Sequence, residues 1–235
     1  MKNLSTAAKI FILSTILTGI GLIVSVAQDV PWTNLGLYIL AILAAGAQTY
    51  KVEGPNDKTN YNVAWFVYGF TFIALGAPAA LIVITFAHLV EWTWHKYPWY
   101  IQSFNIGSYA VVTSLTGLTY QLLGGESQDF GFYSSLAIAT ALLVFVLLNH
   151  FLIGLVIQLA RGQSFAESGV FGFFTLFLDF TVLSMGAVTA FVWFTNPFAV
   201  FLNILPLYLL YNAIRVPALT RRVEELESQM AQSGD

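Results

Sequence analysis

The stretch Asn62–Tyr100, NVAWFVYGFTFIALGAPAALIVITFAHLVEWTWHKYPWY, decides the fold. From Asn62 to His95 it holds no lysine or arginine, and Gly76-Ala77-Pro78 interrupts it near the middle. One helix needs about 20 apolar residues to cross a hydrocarbon core of about 30 Å. This run is therefore too long for one span and too short for two ordinary ones, and it reads as a hairpin of two short helices, 62–75 and 79–94. Broken helices at membrane depth are tolerated only where protein or a water-filled cavity covers the freed backbone groups. Such breaks often line binding sites; the other reading is a tight turn that only packs inside the bundle.

Outward from this stretch, composition sets the class. Of 235 residues 57% are hydrophobic, 16% aromatic and only 9% charged, and the mean hydropathy is +0.75. These values describe an all-α, polytopic membrane helical bundle and leave no room for a soluble domain of useful size. The absence of cysteine removes disulfides, thiolate metal sites and thiol nucleophiles. A net charge of −3 carries no nucleic-acid footprint. There is no glycine-rich phosphate loop, no G-x-S-x-G elbow and no paired-carboxylate motif, so the chain does not read as an enzyme, and no cofactor is expected. Gly124-Gly125-Glu126-Ser127 matches part of a cyclase signature only in letters, because it falls in a short outer loop between spans.

Apolar runs lie at about residues 7–27, 34–50, 62–75, 79–94, 104–123, 132–160, 169–194 and 198–214, giving eight helical segments. Lys2 and Lys9 precede or begin the first. Lys51 and Lys58 follow the second, Lys96 the fourth, Arg161 the sixth, and Arg215, Arg221 and Arg222 the eighth. With the third and fourth segments paired as a hairpin, all these basic residues fall on one side, which the positive-inside rule makes cytoplasmic. The opposite connections carry Asp29, then Glu126 and Asp129, then Thr195-Asn196-Pro197, and no basic residue. The expectation is a multi-pass protein of the inner (cytoplasmic) membrane with both termini cytoplasmic. Lys2, an apolar stretch and Ser25-Val26-Ala27 have the outline of a cleavable signal, but the stretch is long for a signal core and the loop charges require it as a retained span.

Ionisable and amide side chains within apolar helices are the candidate ligand-binding residues: His88, Glu91, Asn105, Asn149, His150 and Asp179. His150 stands eleven residues before Arg161, and Asp179 eleven after Ser168. Two antiparallel helices joined by RGQSFAES would bring both to about 16 Å from the cytoplasmic boundary. There they could pair, either to fix helix packing or to serve a ligand or a proton. His88, Trp92 and His95 follow i, i+4, i+7 and share a helix face, with Glu91 at its edge. Imidazoles and a carboxylate can ligate a transition metal, but this spacing matches neither the zinc-protease nor the di-iron helix pattern, so no metal site is assigned. Glu91 and His95 lie close enough to the interface to be solvated. Trp92, Trp94, Tyr97, Trp99 and Tyr100 read as an interfacial aromatic belt.

Residues 215–235 form a second unit after the bundle of residues 1–214. Val216, Leu219, Val223, Leu226 and Met230 recur at spacings of 3, 4, 3 and 4, the seam of a short parallel coiled coil. Pro217 is expected to kink the helix or to start a new one. A homodimer through this helix is one reading; a short amphipathic helix lying on the membrane surface is the other.

The runs FIALGAPAALIVITFAHLVEW, HKYPWYIQSFN, SYAVVTSLTGLTYQLLGG, ALLVFVLLNHFLIGLVIQLARGQ and NPFAVFLNILPLYLLYNAIRVPALTRRVEELE resemble the amino-terminal membrane module of bacterial GGDEF and HD-GYP signalling proteins over about residues 60–228. The resemblance implies a sensory input module whose last helix leads into a cytoplasmic output enzyme. This sequence ends at Asp235 with no such enzyme, so enzymatic signalling is not carried over, and a separate output protein is an expected partner. The Gly-Ala-Pro hairpin is also similar, more loosely, to the substrate-binding components of energy-coupling-factor transporters. The function expected is an integral membrane ligand-binding sensor that relays a signal through its C-terminal helix. A solute-binding transporter subunit and a structural subunit of a membrane complex are the alternatives. The expected partners are the lipid bilayer, a small-molecule ligand and a second copy of the chain.

Overall fold

The computed structural model describes residues 1, 4–53, 60–125 and 131–233. Lys2, Lys58, Glu126, Ser127 and Asp129 lie outside these residues. The described chain is helical, with one two-residue antiparallel ladder pairing Val52–Glu53 with Asn60–Tyr61. The helices are α1 Thr6–Val26, α2 Leu35–Thr49, α3 Ala64–His95, α4 Trp99–Leu122, α5 Phe132–Arg161, α6 Phe165–Ser168, α7 Phe173–Thr195 and α8 Ile204–Ser233. A 3-10 turn, Ala27–Asp29, closes α1, and another, Pro197–Asn203, leads into α8. Among the described residues four stretches are, by length and composition alone, long and apolar enough to cross a membrane: Thr6–Asp29, Ala64–His95, which turns back on itself at Gly76, Phe132–Arg161 and Phe173–Thr195. The protein is thus a membrane-type helical bundle. Its outer faces are covered by exposed apolar side chains such as Ile10, Leu17, Val24, Ile42, Leu136 and Phe173.

Helix α3 is the hairpin its sequence suggests. Gly76 has φ 87° and ψ 170°, a conformation that only glycine adopts without strain, and Pro78 sits in the first turn beyond it, where its missing N–H leaves no broken bond. Side-chain contacts show that the chain reverses at this point. Tyr68 before the break and Glu91 after it both hydrogen-bond the one side chain of Gln48. On a straight helix these residues would stand about 35 Å apart at 1.5 Å per residue. Ala77, at the apex, meets Gly117 near the far end of α4.

The first arm of α3 lies directly on α7. A Cβ built on Gly69 would sit 2.1 Å from the carbonyl oxygen of Leu183, and one on Gly186 would sit 1.9 Å from that of Phe66. Each glycine is therefore needed for the backbones to approach. Helices α1 and α4 meet in the same way at Gly19 and Gly107. Small-residue contacts of this kind are how helices associate where no hydrophobic driving force separates them from lipid.

The helix termini arrange the charges. Ser5 Oγ donates to Leu159 O at 2.8 Å, His95 Nε2 lies 3.3 Å from Thr49 O, and Gln102 reaches His88. The start of α1, the ends of α2, α3 and α5, and the start of α4 therefore share one end of the bundle, and Lys9, Lys51, Lys96 and Arg161 gather there.

Two expectations need correction. Helix α4 begins at Trp99, five residues before the apolar run at 104, because Pro98 supplies an extended N-cap and the aromatic belt residues enter the helix. Helix α8 continues from Ile204 through Pro217 to Ser233, so no new helix starts at Pro217.

Candidate ligand cavity

A cavity of about 160 Å³ opens between both arms of α3 and helices α2, α4, α5 and α7, toward the end of the bundle that carries the basic residues. Five helices and the segments beside them bring side chains to it that are far apart in sequence. Of the six candidate residues, His88, Asn105, Asn149, His150 and Asp179 line the cavity. Glu91 stands behind its wall in direct contact with His88. Lys51 and Asn62 are on the lining as well, and neither was among the candidates.

His150 and Asp179 meet. His150 Nε2 is 2.8 Å from Asp179 Oδ2, and both residues are buried. The pair closes across the α5–α7 junction because RGQSFAES folds as a tight connection. Gly162 and Gly169 take left-handed angles, and Ser164 and Glu167 form a capping box for the one-turn helix α6.

Glu91 lies elsewhere than expected: it is fully buried, not wet at the interface. Lys51, following α2, folds over it and pairs with its Oε1. Its Oε2 accepts from Gln48 Nε2 at 2.9 Å and Gln102 Nε2 at 3.0 Å, and faces His88 Nδ1 at 3.1 Å. Gln48 Oε1 in turn accepts from Tyr68 Oη at 2.9 Å and from Asn62 Nδ2. Gln102 also donates to the carbonyl of His88 at 2.8 Å, and Asn105 Nδ2 approaches Gln102 Oε1 at 3.5 Å. A buried carboxylate is stable only when paired and hydrogen-bonded, and this one is both.

His95 does not join His88 and Glu91. It is exposed, with its ring stacked on Tyr97 at 5.4 Å. Among the described residues no group of three histidine, cysteine or acidic side chains is placed to hold a metal ion. Rings link the two imidazoles around the cavity: His88 packs on Tyr109 at 4.7 Å, Tyr109 on Trp65 at 6.4 Å, and Trp65 on His150 at 6.2 Å.

The lining carries polar atoms with no protein partner. His88 Nε2, Asn149 Oδ1 and His150 Nδ1 are each buried and unbonded, on residues only 3%, 6% and 5% exposed. Buried polar atoms are nearly always satisfied, and these three share one cavity wall.

The sequence reading passed over Gln48, Lys51, Asn62, Gln102, Trp65 and Tyr109. Gln48 and Gln102 carried the available signal, as amides within otherwise apolar helical runs. No known protein family, curated protein or solved structure matches the chain.

Proposed function

We propose that the protein is a membrane ligand-binding sensory module. The observation that carries this reading is the cavity whose buried wall holds three unpartnered polar atoms, on His88, Asn149 and His150. Each such atom costs about 1–3 kcal/mol while unpartnered, a cost that a polar ligand in the cavity would remove. The resemblance to the input modules of GGDEF and HD-GYP signalling proteins points to the same role, with the basic end of the bundle in the cytoplasm of a cell whose inner membrane the protein spans.

The route out of the cavity favours relay over simple binding. Asp179 lies on α7, and α7 passes through Pro197–Asn203 into α8, the helix that leaves the bundle. On α8 the seam residues Val216, Leu219, Val223 and Met230 are exposed, while the side chain of Leu226 is outside the described residues. A second copy pairing along this seam would couple ligand-dependent shifts of α7 to a cytoplasmic output protein. A ligand that binds one arrangement of these helices better than another shifts the population between them.

Leu219→Asp places a charge on the seam and is expected to abolish dimerisation in detergent, read by light scattering, while leaving ligand binding unchanged. A variant that remains dimeric, or one that loses ligand along with dimerisation, would refute relay through α8.

A further inference from the structure

The cavity's size, charge balance and unpartnered atoms together restrict what it can hold. A volume of about 160 Å³ is close to the roughly 150 Å³ of a cavity that accommodates benzene. It is well below the 300–1,000 Å³ of pockets that enclose drug-sized ligands. Its buried part has room for one ring.

The charges at the wall cancel. Lys51 neutralises Glu91, and His150 is the one basic group within ion-pair distance of Asp179 among the described residues. An ionic ligand would leave one buried charge without a counter-charge, which is strongly unfavourable.

The hydrogen-bond network assigns the free atoms. His88 Nδ1 lies 3.1 Å from both Glu91 Oε2, which only accepts, and Gln102 Nε2, which donates, so the free Nε2 donates or accepts according to which of these contacts Nδ1 makes. Asn149 Oδ1 is an acceptor. A buried aspartate is stable only with its charge met, so the His150–Asp179 pair shares one proton between Nε2 and Oδ2, and the other ring nitrogen, Nδ1, presents an N–H donor. The wall thus offers an acceptor on Asn149, a donor on His150 and the free ring nitrogen of His88, with Trp65 and Tyr109 as flat flanks.

Taking the cavity as the binding site argued above, we infer that its ligand is an uncharged single-ring heterocycle that both donates and accepts hydrogen bonds, as a pyrimidinone or a lactam does.

The test is binding of four ring compounds of similar size to the full chain in detergent, read by thermal shift and calorimetry. Uracil and 2-pyridone are neutral, benzamidinium is a cation and benzoate an anion. The neutral pair is expected to bind at least tenfold more tightly than either ion. Two variants locate the effect. His88→Asn keeps an N–H near the position of Nδ1 for Glu91 but removes the free ring nitrogen Nε2, and is expected to weaken uracil binding roughly tenfold, the scale of one buried hydrogen bond. If His88→Asn does not fold, Asn149→Ala carries the same expectation. His150→Gln keeps a donor for Asp179 but removes the basic group that balances it, and is expected to turn the preference toward benzamidinium. Equal or tighter binding of an ion to the wild type, or an unchanged preference in His150→Gln, overturns the neutral-ring inference and leaves the binding site standing. Absence of binding by all four compounds overturns it too, and if no small molecule is carried through purification either, the reading as a ligand-binding module falls with it.

Discussion

Gln48 and Asn149 are both buried carboxamides on the wall of the same cavity, and their surroundings differ completely. Gln48 donates to Glu91 and accepts from Tyr68 and Asn62, and through Glu91 it is tied to Lys51, His88 and Gln102. Asn149 Oδ1 has no partner, and beside it His150 Nδ1 has none. The first cluster joins α2, both arms of α3 and α4, and is saturated around Gln48 and Glu91, with only the cavity-facing Nε2 of His88 left unbonded. The second joins α5 and α7 through one pair, His150 and Asp179, and retains bonding capacity. Apolar helices in lipid gain little from hydrophobic contact with one another, so a saturated polar cluster acts as a fastener. An unsaturated one costs stability until a ligand completes it, and that cost is what a binding site returns on occupancy.

The largest expected effect breaks the fastener. Glu91→Ala removes the acceptor shared by Gln48, Gln102 and His88 and strands Lys51. Loss of one partner from a buried ion pair costs about 3–5 kcal/mol, so the apparent melting temperature in detergent should fall sharply, or the variant should fail to accumulate. A fall no larger than that of variants in the second cluster would erase the distinction between the two.

A smaller effect is expected in the second cluster. Asp179→Asn keeps an oxygen to accept from His150 but removes the charge, and the charged hydrogen bond it weakens is worth about 1.5–3 kcal/mol at most. Stability should drop modestly, while ligand retention should fall more steeply, since the pair lines the cavity and His150 loses the charge it balances. Loss of stability with ligand retention intact would assign this pair to packing alone.

The two clusters were also unequally legible in the sequence. His150 and Asp179 could be placed at one depth because each lies eleven residues from a recognisable boundary, Arg161 or Ser168, and helical rise converts that count into distance. The hairpin was legible because glycine and proline interrupt a run too long for one span, and the charge of the flanking loops requires a reversal there. The fastener was not. Glu91, four residues before His95, reads as interfacial by position, and it is buried because Lys51 arrives from the end of α2 to cover it. Gln48 and Gln102 stand near helix ends, where a polar residue reads as interfacial, and their partners lie 43 and 11 residues away on other helical segments. The continuity of α8 through Pro217 was also beyond reach, because a proline marks where a helix can break without requiring it to.

The central claim is that the unsaturated wall of this cavity holds a small molecule. Native mass spectrometry of the detergent-purified wild type beside Asn149→Ala tests it most directly. Asn149 Oδ1 has no protein partner to lose, so the substitution should leave the melting temperature of the unliganded protein almost unchanged. The account predicts a discrete adduct of single-ring mass on the wild type and its loss or marked reduction in the variant. A wild type that carries no adduct, together with no difference between the two proteins when candidate rings are added, would contradict it.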